Sequence, residues 1–198
     1  HLTAQKLLKA FGSVKKINVK VLNDLLIQDV SLNFITNKNL TLINSLNAKY
    51  EGILVSNGSI SLKRDKQIDI EGKFDSQLKA KEGEIKKLFT NLNLNFLEKN
   101  QLSIQASLLH DFTLKIDENF KLIDYDYKSS GNISEAQLDL KENFKSNFLE
   151  NQIKKISASN TNLSITLNSK NTNLLKFDGF YNLGGIENKK FKISHDLN

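Results

Sequence analysis

From Ile17 onward, apolar and polar residues alternate. Ile17, Val19 and Val21 are separated by Asn18 and Lys20, and Val30, Leu32 and Phe34 repeat the phase. Leu40 and Leu42 follow, then a denser apolar run from Tyr50 to Val55. Further on, Ile60 with Leu62, Ile68 with Ile70, Leu92-Leu94-Phe96, Leu102-Ile104 and Phe112-Leu114-Ile116 all step by two. Leu138-Leu140, Leu163-Ile165-Leu167 and Phe191-Ile193 continue the pattern towards the C-terminus. Successive side chains of a strand point to opposite faces, so each run predicts a strand with one apolar and one wet face. Asn57-Gly58 and Gly184-Gly185 read as hairpin turns. Turn signals recur every ~8 to 14 residues, as a meander requires. The fold class predicted is mainly β: a long curved antiparallel meander sheet, forming an open groove or a partly closed barrel.

Two stretches leave the two-residue period. Ala4, Leu7, Leu8 and Phe11 fall at helical spacing, with Thr3 placed to cap and Gly12 to stop, so residues 1–12 predict a short N-terminal helix. Residues 141–156 carry Phe144, Phe148, Leu149, Ile153 and Ile156, a spacing that suits a short helix or irregular segment near 142–156 better than a strand. The partition expected is one β-rich segment over 1–198, with the sheet occupying 17–198.

Composition narrows the class. A hydrophobic content of 39% at regular spacing argues against disorder. Proline is absent, which suits uninterrupted ladders, since proline removes a ladder donor. Cysteine is absent, so no thiolate metal site or disulfide forms. Methionine is absent too, and the chain reads as a segment of a larger protein. The net charge of +6 invites a nucleic-acid reading. However, all but one of the 28 basic residues are lysine, scattered with no run longer than two, and no nucleic-acid partner is expected. No apolar run approaches the ~18 to 20 residues of a membrane helix.

The search for chemistry finds little. There is no phosphate-cradling or dinucleotide glycine motif and no nucleophile-elbow pattern. His110-Asp111 and His195-Asp196 are expected at strand ends as solvated turns, and neither histidine is expected to ligate metal or act as a base. Asp124 and Asp126 flank Tyr125 and are expected to face solvent. No catalytic residue, metal site or cofactor is expected, and the protein is not expected to be an enzyme.

What remains is the apolar face. An antiparallel sheet can be wet on one side, but its other side must meet a second sheet, close on itself or bind something. At this point the strands NVKVLNDLLIQDVSLNF (18–34), GSISLKRDKQIDIEGKFD (58–75) and IDENFKLIDYDYKSSGNISEAQLDL (116–140) resemble the β-rich periplasmic body of AsmA-like envelope proteins, the TamB and YhdP group. The stretch 120–140 is most similar, with its charged strand, small-residue crossing at Ser129-Ser130-Gly131 and Leu-Asp-Leu ending. The resemblance implies a bridge-type lipid-transport or outer-membrane-maintenance protein of Gram-negative bacteria. Such a protein would be periplasmic and anchored in the inner membrane through regions outside this segment, with neighbouring β-repeats of the full-length chain as partners. It also implies phospholipid as the ligand, with tails in a groove lined by Ile60, Leu62, Ile68, Ile70, Leu92, Leu94, Phe96, Leu102, Ile104, Phe112, Leu114, Ile116, Leu138, Leu140, Leu163, Ile165, Leu167, Phe191 and Ile193. The alternative is a structural or adhesive β-domain of a bacterial surface protein that fills its own core.

Overall fold

The computed structural model describes residues 9–20, 26–80, 101–144, 152–170, 172–183 and 188–197. These form a single antiparallel sheet of ten strands in chain order: β1 (Ala10–Lys20), β2 (Leu26–Thr36), β3 (Leu40–Tyr50), β4 (Ile53–Arg64), β5 (Ile68–Ala80), β6 (Gln101–Ile116), β7 (Leu122–Phe144), β8 (Ile153–Asn168), β9 (Leu174–Leu183) and β10 (Lys189–Asp196). Each strand pairs with its sequence neighbours, and β1 and β10 are the two edges, so the sheet does not close into a barrel. No helix occurs among the described residues.

Three expectations are corrected here. Ala10, Phe11 and Gly12, read as the end of a helix, open β1, while residues 1–8 lie outside the described set. In the 142–156 region, the strand β7 runs through Phe144 and β8 begins at Ile153, with Phe144 opposite Ile153. Residues 145–151, with Phe148 and Leu149, lie outside the described residues, so the correction covers only the strand residues on either side. Finally, Asn57-Gly58 is not a hairpin but lies inside β4. The hairpin is at Glu51-Gly52, where Tyr50 faces Ile53 and both turn residues have positive φ, 38° and 78°. That is the sign pattern of the two-residue turn whose twist matches paired strands. Gly184-Gly185 falls outside the described residues.

Asn57 serves a different purpose. It has φ 54°, as do Lys16 (50°), Asp29 (53°), Ser45 (54°) and Asn160 (46°), and each lies at a shift in strand register. These are β-bulges, where one extra residue is inserted and the strand phase advances by one. The sequence needs them. Val14 to Ile17, Ile27 to Val30, Ile43 to Leu46, Val55 to Gly58 and Ala158 to Thr161 are each three residues apart, which without a bulge would send one member to the wet face. Nearby side chains satisfy backbone groups that the bulges free. The Lys16 N–H donates to Ser31 Oγ (3.0 Å) and the Asp29 N–H to Asn18 Oδ1 (3.3 Å).

Turns are closed by asparagine and aspartate. Asn37 Oδ1 accepts from the N–H groups of Asn39 and Leu40 (2.9 and 2.8 Å), and Asp117 Oδ1 from those of Asn119 and Lys121 (2.9 and 2.8 Å). At Gly131 a Cβ would strike the Ser107 carbonyl oxygen and Leu108 Cα, so β6 and β7 approach there only because the residue is glycine.

The described residues form a single layer. Among the described residues, the buried hydrophobic side chains are Val30, Ala80, Ala106, Ile133 and Ile153, two of them alanines. Leu78, Leu102, Ile104 and Leu138 pack around Ala80 while staying half-buried. A sandwich core would hide its large residues and expose the small ones less selectively.

Candidate functional site: one apolar face

Cross-strand partners share a face, so the registers place each predicted residue. One row runs Gly12, Phe34, Ile43, Ile60, Gly72, Phe112, Tyr127, Leu167 across eight strands. A second runs Leu62, Ile70, Leu114, Tyr125, and a third Leu102, Leu138, Ile156, Leu183. Ile68 faces Ile116, and Ile104 faces Ala80 and Ala136. Leu163 faces Phe177, which faces Ile193, while Ile165 faces Ser129 and Phe191 faces Gly179. Leu140 follows Leu138 in the same phase of β7. All the described members of the predicted set therefore lie on one face. Leu92, Leu94 and Phe96 lie outside the described residues. Leu42 departs from the expected phase: it pairs with Ile35 and Ser61 on the opposite, polar face.

The opposite face carries charge. Lys49–Asp29 (2.7 Å), Lys128–Asp126 (3.3 Å), Lys115–Asp124 (3.8 Å) and Lys63–Glu71 (3.9 Å) are ion pairs between half-exposed side chains, each contributing little to stability. Asp124 and Asp126 stand on this face, as expected of solvent-facing carboxylates. Asp124 also accepts from the Ser169 hydroxyl, which together with Lys115 holds its carboxyl below the ordinary range.

The feature missed from sequence is His110. It is not at a strand end but in the middle of β6, on the apolar face, at the same phase as Leu108, Phe112 and Leu114. Its ring stacks on Phe74 at 4.4 Å and 17°. His110 Nε2 is 2.7 Å from Ser76 Oγ and Nδ1 is 2.8 Å from Tyr127 Oη. Ser129, directly opposite His110 on β7, is 2% exposed, and its Oγ has no hydrogen-bond partner. Burial pushes His110 below its ordinary value, against a smaller opposing pull from Asp75. Burial pushes Tyr127 up, against a smaller pull from Ser129. The alternation itself carried the signal, because His110 occupies an apolar phase. Reading His-Asp as a turn dipeptide hid it. His195 lies on the exposed edge strand β10, opposite Leu175.

Compared with known proteins, the chain matches no family model, no curated protein and no solved structure.

Proposed function

We propose that this chain is a length of a bridge-type lipid carrier of the AsmA-like kind, with acyl tails lying on the apolar face of the sheet. The observation that carries the reading is the single layer: ten strands present one continuous apolar face whose large side chains are half-buried, and among the described residues no second sheet lies over them. Ten strands at about 4.8 Å spacing span roughly 43 Å from first to last, whereas one leaflet of a bilayer core is about 15 Å deep. A tail lying across the strands would thus cover about three of them and could pass from row to row. Each methylene removed from water gains about 0.8 kcal/mol. Many similar rows make many similar resting places rather than one trap. Headgroups would stay at the open side, where lysines meet phosphate as point charges. The reading carries a periplasmic location, further β-repeats joining the edges β1 and β10, and a membrane anchor elsewhere in the protein.

The test is photocrosslinking. A photoreactive residue at Ile104 or Leu114 should capture phospholipid when the protein is made in a Gram-negative host. Leu114→Lys should leave the sheet folded, because the stem can lie along an open face while the ammonium reaches water. It should also reduce capture from Ile104. Loss of folding in Leu114→Lys together with no lipid capture by the parent would mark the face as an ordinary core, as in a self-filled structural or adhesive domain.

A further inference from the structure

The two edges of the sheet carry excess positive charge and differ in build. β1 holds three lysines and no acid, and β10 holds three lysines and one acid, Asp196. Across β2 to β9, eleven basic and eleven acidic residues cancel. β1 is bulged at Lys16, with φ 50° and two shifts in register, and the Lys16 N–H already donates to Ser31 Oγ. A bulged, lysine-rich edge resists a further strand. β10 is regular: all eight residues from Lys189 to Asp196 pair with β9 without a shift. Its outer side has no partner strand among the described residues. Alternate residues of an edge strand turn their N–H and C=O groups outwards there.

Within the chain, β10 is poorly matched to its one neighbour. On the polar face Lys192 faces Asp178 of β9, but Lys190 faces Phe180, its Nζ 5.8 Å from the ring centroid, and Asp196 faces Leu174. On the apolar face Phe191 faces Gly179, His195 faces Leu175, and Ile193 faces Phe177 while staying 50% exposed. Laid antiparallel to itself about Ile193, the strand becomes complementary. Lys190 then stands opposite the second copy's Asp196, Lys192 opposite Ser194, Phe191 opposite His195 and Ile193 opposite itself. Lys189, exposed, lies at the end of the ladder. Every position keeps its face, because antiparallel partners share one. The apolar row Gly131, Leu163, Phe177, Ile193 runs through the two-fold axis into the same row of the second copy, reversed. β1 offers nothing comparable, since no register of it brings a carboxylate to Lys190.

We propose that the chain pairs through β10 with a second copy of itself, β10 against β10 about a two-fold axis at Ile193. The two ten-stranded sheets join into one of twenty strands, roughly 91 Å from first to last, with the apolar face continuous across the join. Main-chain ladder bonds hold the join, and two symmetric Lys190–Asp196 pairs set its register. The second copy's β10 is then the strand that covers this edge, and β1 is left to other β-repeats. The pairing goes beyond the lipid reading and needs no acyl chain on the face.

Sedimentation of the purified protein and cysteine crosslinking test the pairing. The parent should sediment as a dimer that dissociates on dilution. The chain has no cysteine, so a single introduced thiol reports alone. Residues opposite one another in an antiparallel pair have Cα atoms about 4.5 or 5.5 Å apart, within disulfide range. Ile193→Cys should therefore give a covalent dimer on mild oxidation, while Ile17→Cys on β1, at a site 46% exposed, should not. Lys190→Asp sets like charges opposite at two symmetric places and should raise the dimer dissociation constant about tenfold. Adding Asp196→Lys to it should restore the parent value. Diluted to the single chain, β10 exchanges its amides as an edge does, and association should slow exchange in β10 but not in β1. The two-fold pairing is overturned by a parent that stays monomeric up to its solubility limit. It is overturned equally by a covalent dimer that Ile17→Cys gives as readily as Ile193→Cys, or by a dimer that neither charge variant alters. Phospholipid capture from Ile104 or Leu114 is a separate readout that none of these results changes.

Discussion

Ser129 illustrates how a residue can be poorly placed for stability. Its hydroxyl is buried and unpartnered, whereas an alanine there would lose nothing but that group. Ser129→Ala should therefore raise the stability of the ligand-free protein by about 1 kcal/mol, read as a shift in the urea midpoint at unchanged slope. A drop instead would mean the hydroxyl is satisfied in solution. His110 makes a pH-dependent contribution of opposite character. Its folded pKa lies below the ordinary 6.5, so the unfolded chain binds more protons near that pH. Its contribution is complete above about pH 6.5 and declines as the pH falls through that value, levelling off below the folded pKa. The lowered carboxyls of Asp29 and Asp124 lose their share only below about pH 4, leaving the interval between to His110. Urea midpoints from pH 7.5 to 5 should fall in the parent and fall less in His110→Gln.

Among the elements, the bulges do what uninterrupted strands cannot. Asn57 holds φ 54° so that Val55 and Gly58 share a face, and its side chain donates to Asp75 Oδ2 at 2.7 Å. Glycine adopts that backbone freely, while a β-branched side chain does not. Asn57→Gly should be within about 0.5 kcal/mol of the parent, the lost hydrogen bond offsetting the gained freedom, and Asn57→Val should cost about 1–2 kcal/mol. Equal thermal stability of the two variants would show that β4 is not bulged at this position. The same residue explains why the hairpin was misplaced. An Asn-Gly pair advertises positive φ, but a two-residue turn and a bulge both want it. Only the pairing of β4 with β3 and β5 distinguishes them, and those partners are set by residues far along the chain. The expectation of a helix near 142–156 is corrected at its two ends for a related reason: Phe144 and Ile153 belong to two strands facing one another, and a period that joins them runs across a chain reversal.

For the molecule as a whole, strands that touch their sequence neighbours make a nearly one-dimensional body. Stability in such a body is a sum of nearest-neighbour interfaces, and opening starts at the ends. Edge strands β1 and β10 each have a single partner, and Ile17 and Ile193 on them are 46% and 50% exposed. Hydrogen exchange should be fastest in β1 and β10 and slowest in β6–β8, the longest strands. Uniform protection across all ten strands would indicate a cooperative layer packed against the face.

Within each strand, the sequence by itself determined which residues share a face. Alternation is a local property: successive Cβ atoms of an extended chain point to opposite sides whatever the strand pairs with. Ile60, Leu62, Ile70, Leu114 and Leu163 were therefore legible as companions before any pairing was known, and the corrections at Asn57 and Asn160 were written as three-residue steps in the same pattern. Tertiary structure alone decided that the described strands form a single layer and that Ser76, His110, Tyr127 and Ser129 meet on one face of it. These residues come from three strands, and Ser76 and His110 stand 34 positions apart in the chain. Their meeting depends on the registers of β5 with β6 and β6 with β7, which are fixed by the sum of all pairings along those strands rather than by any residue in the row.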